Sequence, residues 1–300
     1  MQVVKGYSTG MKGIVLAGGV GTRLWPITRG LSKQLLPVYD KPMIYYPLGT
    51  LMLAGIREIA IITTKDDQPA FIRLLGDGKK WGINLEFLIQ EEPNGIAEAF
   101  LVAEKFLAGS SVALILGDNI FNGSGIGRNL QNFSDVEGAQ IFAYQVSNPE
   151  QFGVISLNNS GEPIEIIEKP KQPKGDLAVP GLYFYGSDVV EKVKKLERSE
   201  RGELEITSLN LAYLVEGKLK VSVLPRGTAW LDGGTVESLH DASVYVRVLE
   251  ERQGLKIGCI EEIAWRNGWI NSEELSELAK PLLASGYGEY LLSIIKRSKV

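Results

Sequence analysis

The sequence predicts an α/β protein built on a mostly parallel sheet, followed by a strand-rich middle section and a helical C-terminal part. Three observations indicate this fold class. Apolar runs of strand length alternate with helical segments over residues 11–146, as in sheets that carry helices on both faces. Strands separated by turns follow over residues 147–235, and helical periodicity dominates from there to residue 300. A glycine-rich loop directly follows the first apolar run, which is where such a sheet binds ligands.

The strands of the first section are short apolar runs bounded by glycine or polar residues. The run 14–16 (Ile-Val-Leu) is fully apolar, which is typical of a strand buried on both faces of a parallel sheet. Strands are predicted over residues 14–16, 58–63, 84–90, 112–116 and 140–146. Helices are predicted between them over residues 42–53, 68–75 and 96–107, the first with a proline near its start.

The middle and C-terminal sections have a different pattern. Strands are predicted over residues 152–157, 163–168, 180–185 and 218–224. Helices are predicted over residues 188–196, 206–215 and 235–253, and mostly helical structure to residue 300. We interpret residues 11–300 as one domain with three parts, 11–146, 147–235 and 236–300. Residues 1–10 lack periodicity and precede a second methionine, and we expect them to form a disordered extension.

The composition narrows the function classes. With 300 residues, 44% of them hydrophobic and 23% charged, the chain can bury a substantial core and is typical of a soluble globular protein. A net charge of -4 provides no basic field for nucleic acid, so an anionic substrate needs local cations. No signal-peptide pattern and no apolar run of membrane-spanning length occurs, and we therefore expect a cytoplasmic location without membrane partners.

The chain has one cysteine, Cys259, and one histidine, His240. These counts exclude an intrachain disulfide and a cysteine-rich metal site. They also argue against a histidine-ligated zinc site and a histidine-centred catalytic triad. A bound metal would have oxygen ligands, which favours magnesium or a similar hard cation.

The loop after the first strand combines glycines with cations. Gly18, Gly19 and Gly21 permit positive φ and leave backbone N–H groups open to a ligand. Arg23 offers a planar fork for phosphate oxygens, and Lys33 offers a point charge. These residues predict a polyphosphate site at the carboxyl end of the first strand. The glycines alone favour the alternative, a tight turn with two solvated cations.

Two common phosphate motifs are absent. No G-x-x-x-x-G-K-[ST] pattern occurs, and the dinucleotide fingerprint lacks its third glycine because Leu24 occupies that place. Asp40 lies at the distance where that fingerprint has an acid, but its surroundings (Pro-Val-Tyr-Asp-Lys-Pro) are typical of a turn. A nicotinamide enzyme is therefore a minor alternative.

Two acids and a lysine complete the candidate chemistry. Asp118 follows a predicted strand, and Asp232 follows an apolar pair and precedes two glycines. Together they could hold one magnesium ion between two phosphates. The alternative is that both are turn or helix-cap residues. Lys169, in the covering section, is either a contact for a second anion or a solvated loop charge.

Several ordered motifs along the chain resemble one known family. They include GGVGTRL at 18–24, SKQLLP at 32–37, DKPMIYYP at 40–47, GDN at 117–119, FGV at 152–154, EKP at 168–170, GLYFY at 181–185, RGELEIT at 201–207 and WLD at 230–232. The chain resembles the sugar-phosphate nucleotidylyltransferases, and within them most closely those that transfer thymidylyl groups to glucose 1-phosphate. The resemblance covers nearly everything from Met11.

The resemblance implies a Rossmann-like nucleotidyltransferase core, usually a homotetramer. It implies that dTTP and α-D-glucose 1-phosphate react to dTDP-glucose and pyrophosphate, with Mg²⁺, as the first step toward dTDP-rhamnose and related deoxysugars. Residues 11–146 would then form a nucleotide-binding half and residues 147–235 a sugar-phosphate-binding half. Family members are often inhibited by a dTDP-sugar at a separate interface site, for which Arg226 and the helical C-terminus are candidates here.

The family roles transfer to matching positions of this sequence. The resemblance implies a catalytic role for Arg23, Lys33 and Lys169, and metal binding by Asp118 and Asp232. It implies nucleotide contacts, with Gln90 at the pyrimidine edge, for Gly18, Gly19, Gly21, Thr22, Arg23, Lys33, Gln34, Gln90 and Gly95. It implies sugar-phosphate contacts for Asn119, Gly153, Glu168, Lys169, Val179 and Arg201.

Two positions depart from the family pattern. Val20 stands where serine is frequent, and Gly234 stands where threonine is common. Neither change removes a charged group, so we expect activity to be retained. The remaining alternatives are a uridylyltransferase, since thymine and uracil differ by one methyl group, and a non-catalytic nucleotide-sugar sensor.

Overall fold

A computed structural model describes residues 10–298, and the expectation for residues 1–9 lies outside this range. The central feature is a ten-stranded sheet, accompanied by two short two-stranded ladders. The strands are β1 Lys12–Ala17, β2 Pro37–Val38, β3 Lys41–Pro42, β4 Glu58–Thr63, β5 Asn84–Ile89, β6 Val112–Leu116, β7 Asn119–Asn122, β8 Ala139–Gln145, β9 Gly153–Leu157, β10 Pro163–Glu168, β11 Leu177–Ala178, β12 Leu182–Tyr185, β13 Leu219–Val223 and β14 Ala229–Asp232.

The large sheet has the order β10-β9-β11-β8-β12-β6-β1-β4-β5, with β13 paired to β8. Strands β5, β4, β1 and β6 pair in parallel, as do β13 and β8. Strand β12 lies antiparallel between β6 and β8, so β8 runs in the direction of the parallel strands. Strands β10 and β11 are also reversed. The predicted mostly parallel α/β sheet is confirmed.

Helices cover both faces of the sheet. They are α1 Tyr45–Leu53, α2 Gln68–Leu75, α3 Glu98–Val102, α4 Glu104–Leu107, α5 Ile126–Gln131, α6 Val189–Val193, α7 Ile206–Val215, α8 Val236–Gln253, α9 Ile260–Arg266, α10 Ser272–Ala279 and α11 Tyr287–Arg297. Short 3-10 helices occupy Thr22–Leu24, Ile27–Arg29, Lys33–Leu35, Lys79–Trp81, Pro149–Gln151 and Lys280–Ser285. None of the helices described is both long enough and apolar enough to cross a membrane.

Alternate residues of the central strands build two separate cores. In β1, Ile14 and Val15 are both fully buried, yet they belong to different apolar clusters on opposite faces. This follows from the period of two in a strand, and it explains why the run is apolar without alternation. The Val15 side packs with α1, α9 and α11, whereas the Ile14 side packs with α3, α6 and α7.

Most predicted elements occur at or within a few residues of the expected bounds. Strands β4, β6 and β10 and helices α2 and α7 have the predicted limits. The helix expected over 96–107 divides into α3 and α4, because Ala103 (φ -91°, ψ 7°) departs from helical geometry. The helix expected from Pro42 begins only at Tyr45, because Pro42 pairs with Pro37 in the β2–β3 ladder.

A ladder that the sequence analysis did not predict joins distant parts of the chain. Strand β7 directly follows the Gly117–Asp118 turn, and β14 pairs with it in antiparallel register. Asp232 lies opposite Asn119, and the Gly233 N–H donates to the Asp118 carbonyl at 2.9 Å. The ladder therefore brings two acids together that are far apart in sequence.

Candidate active site

A cavity of about 340 Å³ lies at the carboxyl ends of β1 and β6. It is bounded by the loop after β1, the turn between β6 and β7, the β9–β10 hairpin, the first turn of α7 and strand β14. The carboxyl ends of parallel strands are the expected place for a ligand in this type of sheet.

The cavity gathers most of the residues singled out from the sequence. Its lining includes Gly19, Arg23, Lys33, Gln34, Asp118, Asn119, Gly153, Glu168, Lys169, Val179 and Asp232. The other predicted contacts lie outside this lining, namely Gly18, Gly21, Thr22, Gln90, Gly95 and Arg201. Of these, Gly18 directly precedes the lining residue Gly19, and a Cβ built on Gly18 would lie 3.0 Å from the Gln90 side-chain oxygen.

Gly21 and Gly19 of the first loop differ in the structural reason for which the position suits glycine. Gly21 has φ +65° and precedes the Thr22–Leu24 3-10 helix, and the Thr28 hydroxyl donates to its carbonyl at 2.8 Å. This left-handed conformation favours glycine. Gly19 has open space where a Cβ would lie, so its backbone is accessible from the cavity. The loop therefore combines a fixed turn with an open approach to the backbone.

The two acids differ in their electrostatic surroundings. The Lys33 ammonium contacts Asp118 Oδ2 at 2.5 Å. Burial raises the pKa of Asp118, but the charge and hydrogen bond of Lys33 outweigh it and hold the pKa below its ordinary value. Burial and the negative charge of Asp118 raise the pKa of Asp232, although Arg23 and Lys33 oppose this shift. The two carboxylates are therefore close enough to repel one another.

The acid pair fits a hard divalent cation. Carboxylate oxygens are the ligands that Mg²⁺ prefers, and this ion usually takes only one or two from the protein. Within residues 10–298, no group of three or more His, Cys, Asp or Glu side chains could hold a metal. Phosphate oxygens and water would have to complete the coordination, as is usual for magnesium in nucleotide sites.

Asn119 is fixed by the residues around it. Its side-chain oxygen accepts from the Trp230 indole N–H at 2.7 Å and from the Gly181 N–H at 3.1 Å. Its side-chain nitrogen donates to Asp118 Oδ1 at 2.8 Å. Because an indole N–H only donates, the orientation of the amide is settled. One of the two N–H bonds of the amide is left for a ligand.

The side of the cavity that holds the residues predicted to contact the sugar phosphate is formed by β9, β10 and α7. The Thr207 hydroxyl donates to Glu168 Oε2 at 2.6 Å, and both face Gly153, where a Cβ would lie 3.2 Å from that oxygen. Lys169 has φ +42°, an unusual value for a side chain of this size. Its backbone N–H donates to Phe152 O at 3.0 Å, while its half-exposed ammonium remains 3.7 Å from Glu168 Oε1. A cation so weakly paired is available to an anion.

Gln90 has one side-chain polar atom, Oε1, that bonds no other residue in the described range 10–298. Its side-chain nitrogen donates to Glu98 Oε2 at 2.8 Å and to Gly95 O at 3.3 Å. A carboxylate and a carbonyl can only accept, so the amide orientation is fixed and Oε1 faces Gly18. Arg201, in contrast, pairs with Glu205 at 2.8 Å and is half-exposed beside the cavity.

The cavity also contains residues that the sequence analysis did not single out. Tyr183, Thr207 and Trp230 lie within motifs that carried the resemblance, but nothing in their residue types marked them as site residues. Asn210 lies outside every motif. Three tertiary contacts place these side chains here: the pairing of β14 with β7, the pairing of β12 with β6, and the packing of α7 against β10.

Comparison with known proteins agrees with this architecture. The family model described as nucleotidyl transferase matches residues 12–247. A protein of Mycobacterium tuberculosis named glucose-1-phosphate thymidylyltransferase is 56% identical over 288 residues, covering 96% of this chain and 100% of its own length. A protein of the same name from Neisseria meningitidis serogroup A is 55% identical over 288 residues, with the same shares of both chains.

A solved structure gives the same result. A crystal structure from Bacillus anthracis, named as a candidate glucose-1-phosphate thymidylyltransferase in complex with sucrose, is 41% identical with a TM-score of 0.73. The match covers 79% of this chain and 95% of that one. Given the family model, the near-complete coverage and the identity above one half, the chain belongs to the nucleotidyl transferase family, in the branch of the glucose-1-phosphate thymidylyltransferases.

Proposed function

We propose that the protein transfers a thymidylyl group from dTTP to α-D-glucose 1-phosphate, giving dTDP-glucose and pyrophosphate. The observation that supports this most directly is a single cavity with a glycine loop and Arg23 at one end and Lys169 at the other. The acid pair Asp118 and Asp232 lies in the same cavity. Two anionic reactants can meet there with a cation beside each.

The reaction requires little proton transfer. An oxygen of the sugar phosphate forms a bond to the α-phosphorus of dTTP, and the bond between the α-phosphorus and the bridging oxygen breaks to release pyrophosphate. A phosphate monoester is already ionised near neutral pH, so no general base is needed. Catalysis then depends on position and charge stabilisation, which suits a cavity that lacks the single histidine His240.

The charged side chains have separable roles in this proposal. Arg23 and Lys33 neutralise charge on the transferred and leaving phosphates, while Lys169 anchors the attacking phosphate. The ion pair with Asp118 holds the Lys33 ammonium at the cavity edge. Mg²⁺ held by Asp118 and Asp232 would screen the phosphate charges and polarise the α-phosphorus.

Gln90 supplies the contact for the base. Its free Oε1 can accept from the N3–H group of thymine, because both of its N–H bonds have protein acceptors. Uracil presents the same N3–H group. Preference for dTTP over UTP must therefore come from apolar contact with the thymine methyl group, which is worth about 1–3 kcal/mol.

We further infer a place in dTDP-rhamnose or deoxysugar synthesis, a cytoplasmic homotetramer and inhibition by a dTDP-sugar at a second site. A cavity of about 520 Å³ between α1, residues 123–128 at the start of α5, and α9 supports the last point. It combines apolar walls with Arg128 and Arg266, a suitable pairing for a base and phosphates. Arg226 is exposed and does not line it. We also propose that residues 11–300 form one domain with the three parts 11–146, 147–235 and 236–300.

Pyrophosphate release tests the activity. The assay would use dTTP or UTP with glucose 1-phosphate and Mg²⁺, and a control without sugar. Sugar-dependent release that favours dTTP is the expected result. Preference for UTP would make the protein a uridylyltransferase, and no release with either nucleotide, despite binding of a nucleotide sugar, would make it a sensor.

A further inference from the structure

We propose that Asn210 contacts a hydroxyl group of the sugar and contributes to the choice of sugar 1-phosphate. This inference rests on the proposed function. Asn210 lies in α7, is 1% exposed and lines the candidate active-site cavity. It lies on the side of the cavity with Glu168 and Thr207, away from the glycine loop.

One half of the Asn210 amide is already bonded. The Tyr185 hydroxyl donates to its Oδ1 at 2.6 Å. Tyr185 is itself held between Tyr183 and Tyr213, with ring centroids 6.3 Å and 5.6 Å away and interplanar angles of 14° and 27°. The amide is therefore attached to a rigid aromatic stack and has little freedom to turn.

The other half of the amide has no hydrogen-bond partner among residues 10–298. The side-chain nitrogen is buried and unpaired. Such groups are uncommon in folded proteins, because a buried donor that loses water and gains no partner costs free energy. Thr63 Oγ1 and Trp81 Nε1 share this property, but neither residue lines the cavity. Asn210 is distinguished by having a ligand space beside it.

Helix geometry places Asn210 next to an existing polar contact. Asn210 follows Thr207 by three residues, so both side chains lie on one face of α7. Thr207 bonds Glu168, and a Cβ on Gly153 would lie against that pair. The absence of a side chain at Gly153 leaves space for a ligand between β9 and this face of α7.

The chemistry of a neutral amide favours a hydroxyl over a phosphate. Phosphate is best bound by cations and by clusters of backbone N–H groups, whereas Asn210 offers a single neutral N–H donor beside a threonine that already bonds a carboxylate. A hydroxyl group both donates and accepts, so it can pair with either end of an amide. A site that bonds a substrate hydroxyl discriminates strongly against an analogue without it, because its own polar group is then left unpaired.

Deoxy sugars test the proposal directly. The kcat/KM values of the unmodified protein and of Asn210→Ala are measured with glucose 1-phosphate and its 2-, 3-, 4- and 6-deoxy analogues, at saturating dTTP. For one analogue, we expect the unmodified protein to prefer glucose 1-phosphate by about tenfold or more, and Asn210→Ala to lose that preference. The KM for glucose 1-phosphate should rise about tenfold while the KM for dTTP stays unchanged.

Two further variants separate sugar contact from packing. Tyr185→Phe removes the bond to Asn210 and should keep the preference. The double variant Tyr185→Phe with Asn210→Leu replaces both polar partners by apolar groups of similar size, which is nearly neutral for folding. This double variant should lose the preference for glucose 1-phosphate. The proposal would be overturned if Asn210→Ala lowered kcat/KM equally for all the sugars. It would also be overturned if Tyr185→Phe lost the preference for glucose 1-phosphate as fully as Asn210→Ala. Absence of pyrophosphate release in the unmodified protein would instead overturn the proposed function.

Discussion

Gly95 offers the sharpest test of how the backbone shapes the nucleotide side of the site. It has φ +104°, a conformation that residues with a side chain rarely adopt. A Cβ built there would lie 2.4 Å from Leu204 O and 2.7 Å from Leu204 N. Ordinary contact begins near 3.4 Å, so Gly95→Ala requires the two backbones to separate by about 1 Å.

The cost of that separation can be worked out from the local hydrogen bonds. The Ala97 N–H donates to Leu204 O at 3.1 Å, and the Leu204 N–H donates to Asn94 O at 2.7 Å. A shift of about 1 Å stretches both beyond hydrogen-bond range, at about 1 kcal/mol each. The unfavourable φ adds about 1–2 kcal/mol. We expect the free energy of unfolding of Gly95→Ala to fall by about 3–4 kcal/mol. With an unfolding entropy of about 2.1 cal/mol/K per residue over 300 residues, its melting temperature should fall by roughly 5–6 °C.

Gly19→Ala is the matched control for this experiment. Gly19 belongs to the same predicted nucleotide site, but no heavy atom lies within 4 Å of its Cβ position and its φ is not in the positive range. In thermal unfolding at neutral pH, the melting temperature of Gly19→Ala should lie within about 1 °C of that of the unmodified protein. Gly95→Ala should also raise the KM for dTTP, because Gln90 Nε2 donates to Gly95 O. Equal melting temperatures for the two variants would refute the reasoning.

Three other predictions address charge, orientation and burial. Lys169→Ala should lower kcat by about 10²–10⁴ with unchanged melting temperature, while Lys171→Ala, at an exposed lysine of the same loop, should keep a near-normal rate. Trp230→Phe removes the indole N–H that fixes Asn119 and should lower kcat/KM for the sugar phosphate about tenfold; an unchanged value would contradict that role. Burial raises the pKa of Glu261, so the folded state holds its proton more tightly than the unfolded state, and stability is lost as pH rises above the ordinary Glu pKa. In urea unfolding, the free energy of unfolding of Glu261→Gln should therefore exceed that of the unmodified protein by more at pH 8 than at pH 5, because the amide stays neutral at both pH values. An equal difference between the two proteins at both pH values would disprove this prediction.

The part of the fold that the sequence predicted is local. Strands such as β4 and β6 are continuous apolar runs bounded by polar residues, so length and pattern alone give their limits. Helix α8 is capped at its start by Thr235, whose hydroxyl accepts from the Ser238 N–H at 3.1 Å, and it ends before Gly254 at φ +64°. Caps and turns of this kind depend on neighbouring residues, which is why they can be recognised in a sequence.

The glycine loop and its cations were also predictable, because they lie together in the chain directly after β1. From the residues alone, a shared metal was one of two open interpretations of Asp118 and Asp232, and the family resemblance favoured it. In this structure the closeness of the two acids depends on the β7–β14 ladder, whose strands are only four residues long each. The reversed direction of β12 between β6 and β8 is likewise a property of the assembled sheet.

By itself, the sequence determined the α/β class, the order of most of its elements, the glycine loop after the first strand and, through its motifs, the family. The tertiary structure decided which side chains share a cavity and which hydrogen bonds remain open to a ligand. Asn210 illustrates the difference. Its burial, its bond to Tyr185 and its unpaired amide nitrogen arise only when α7 packs against the sheet, since all of its partners are distant in sequence. Contacts of long sequence separation carry no local pattern, and so only the folded chain reveals them.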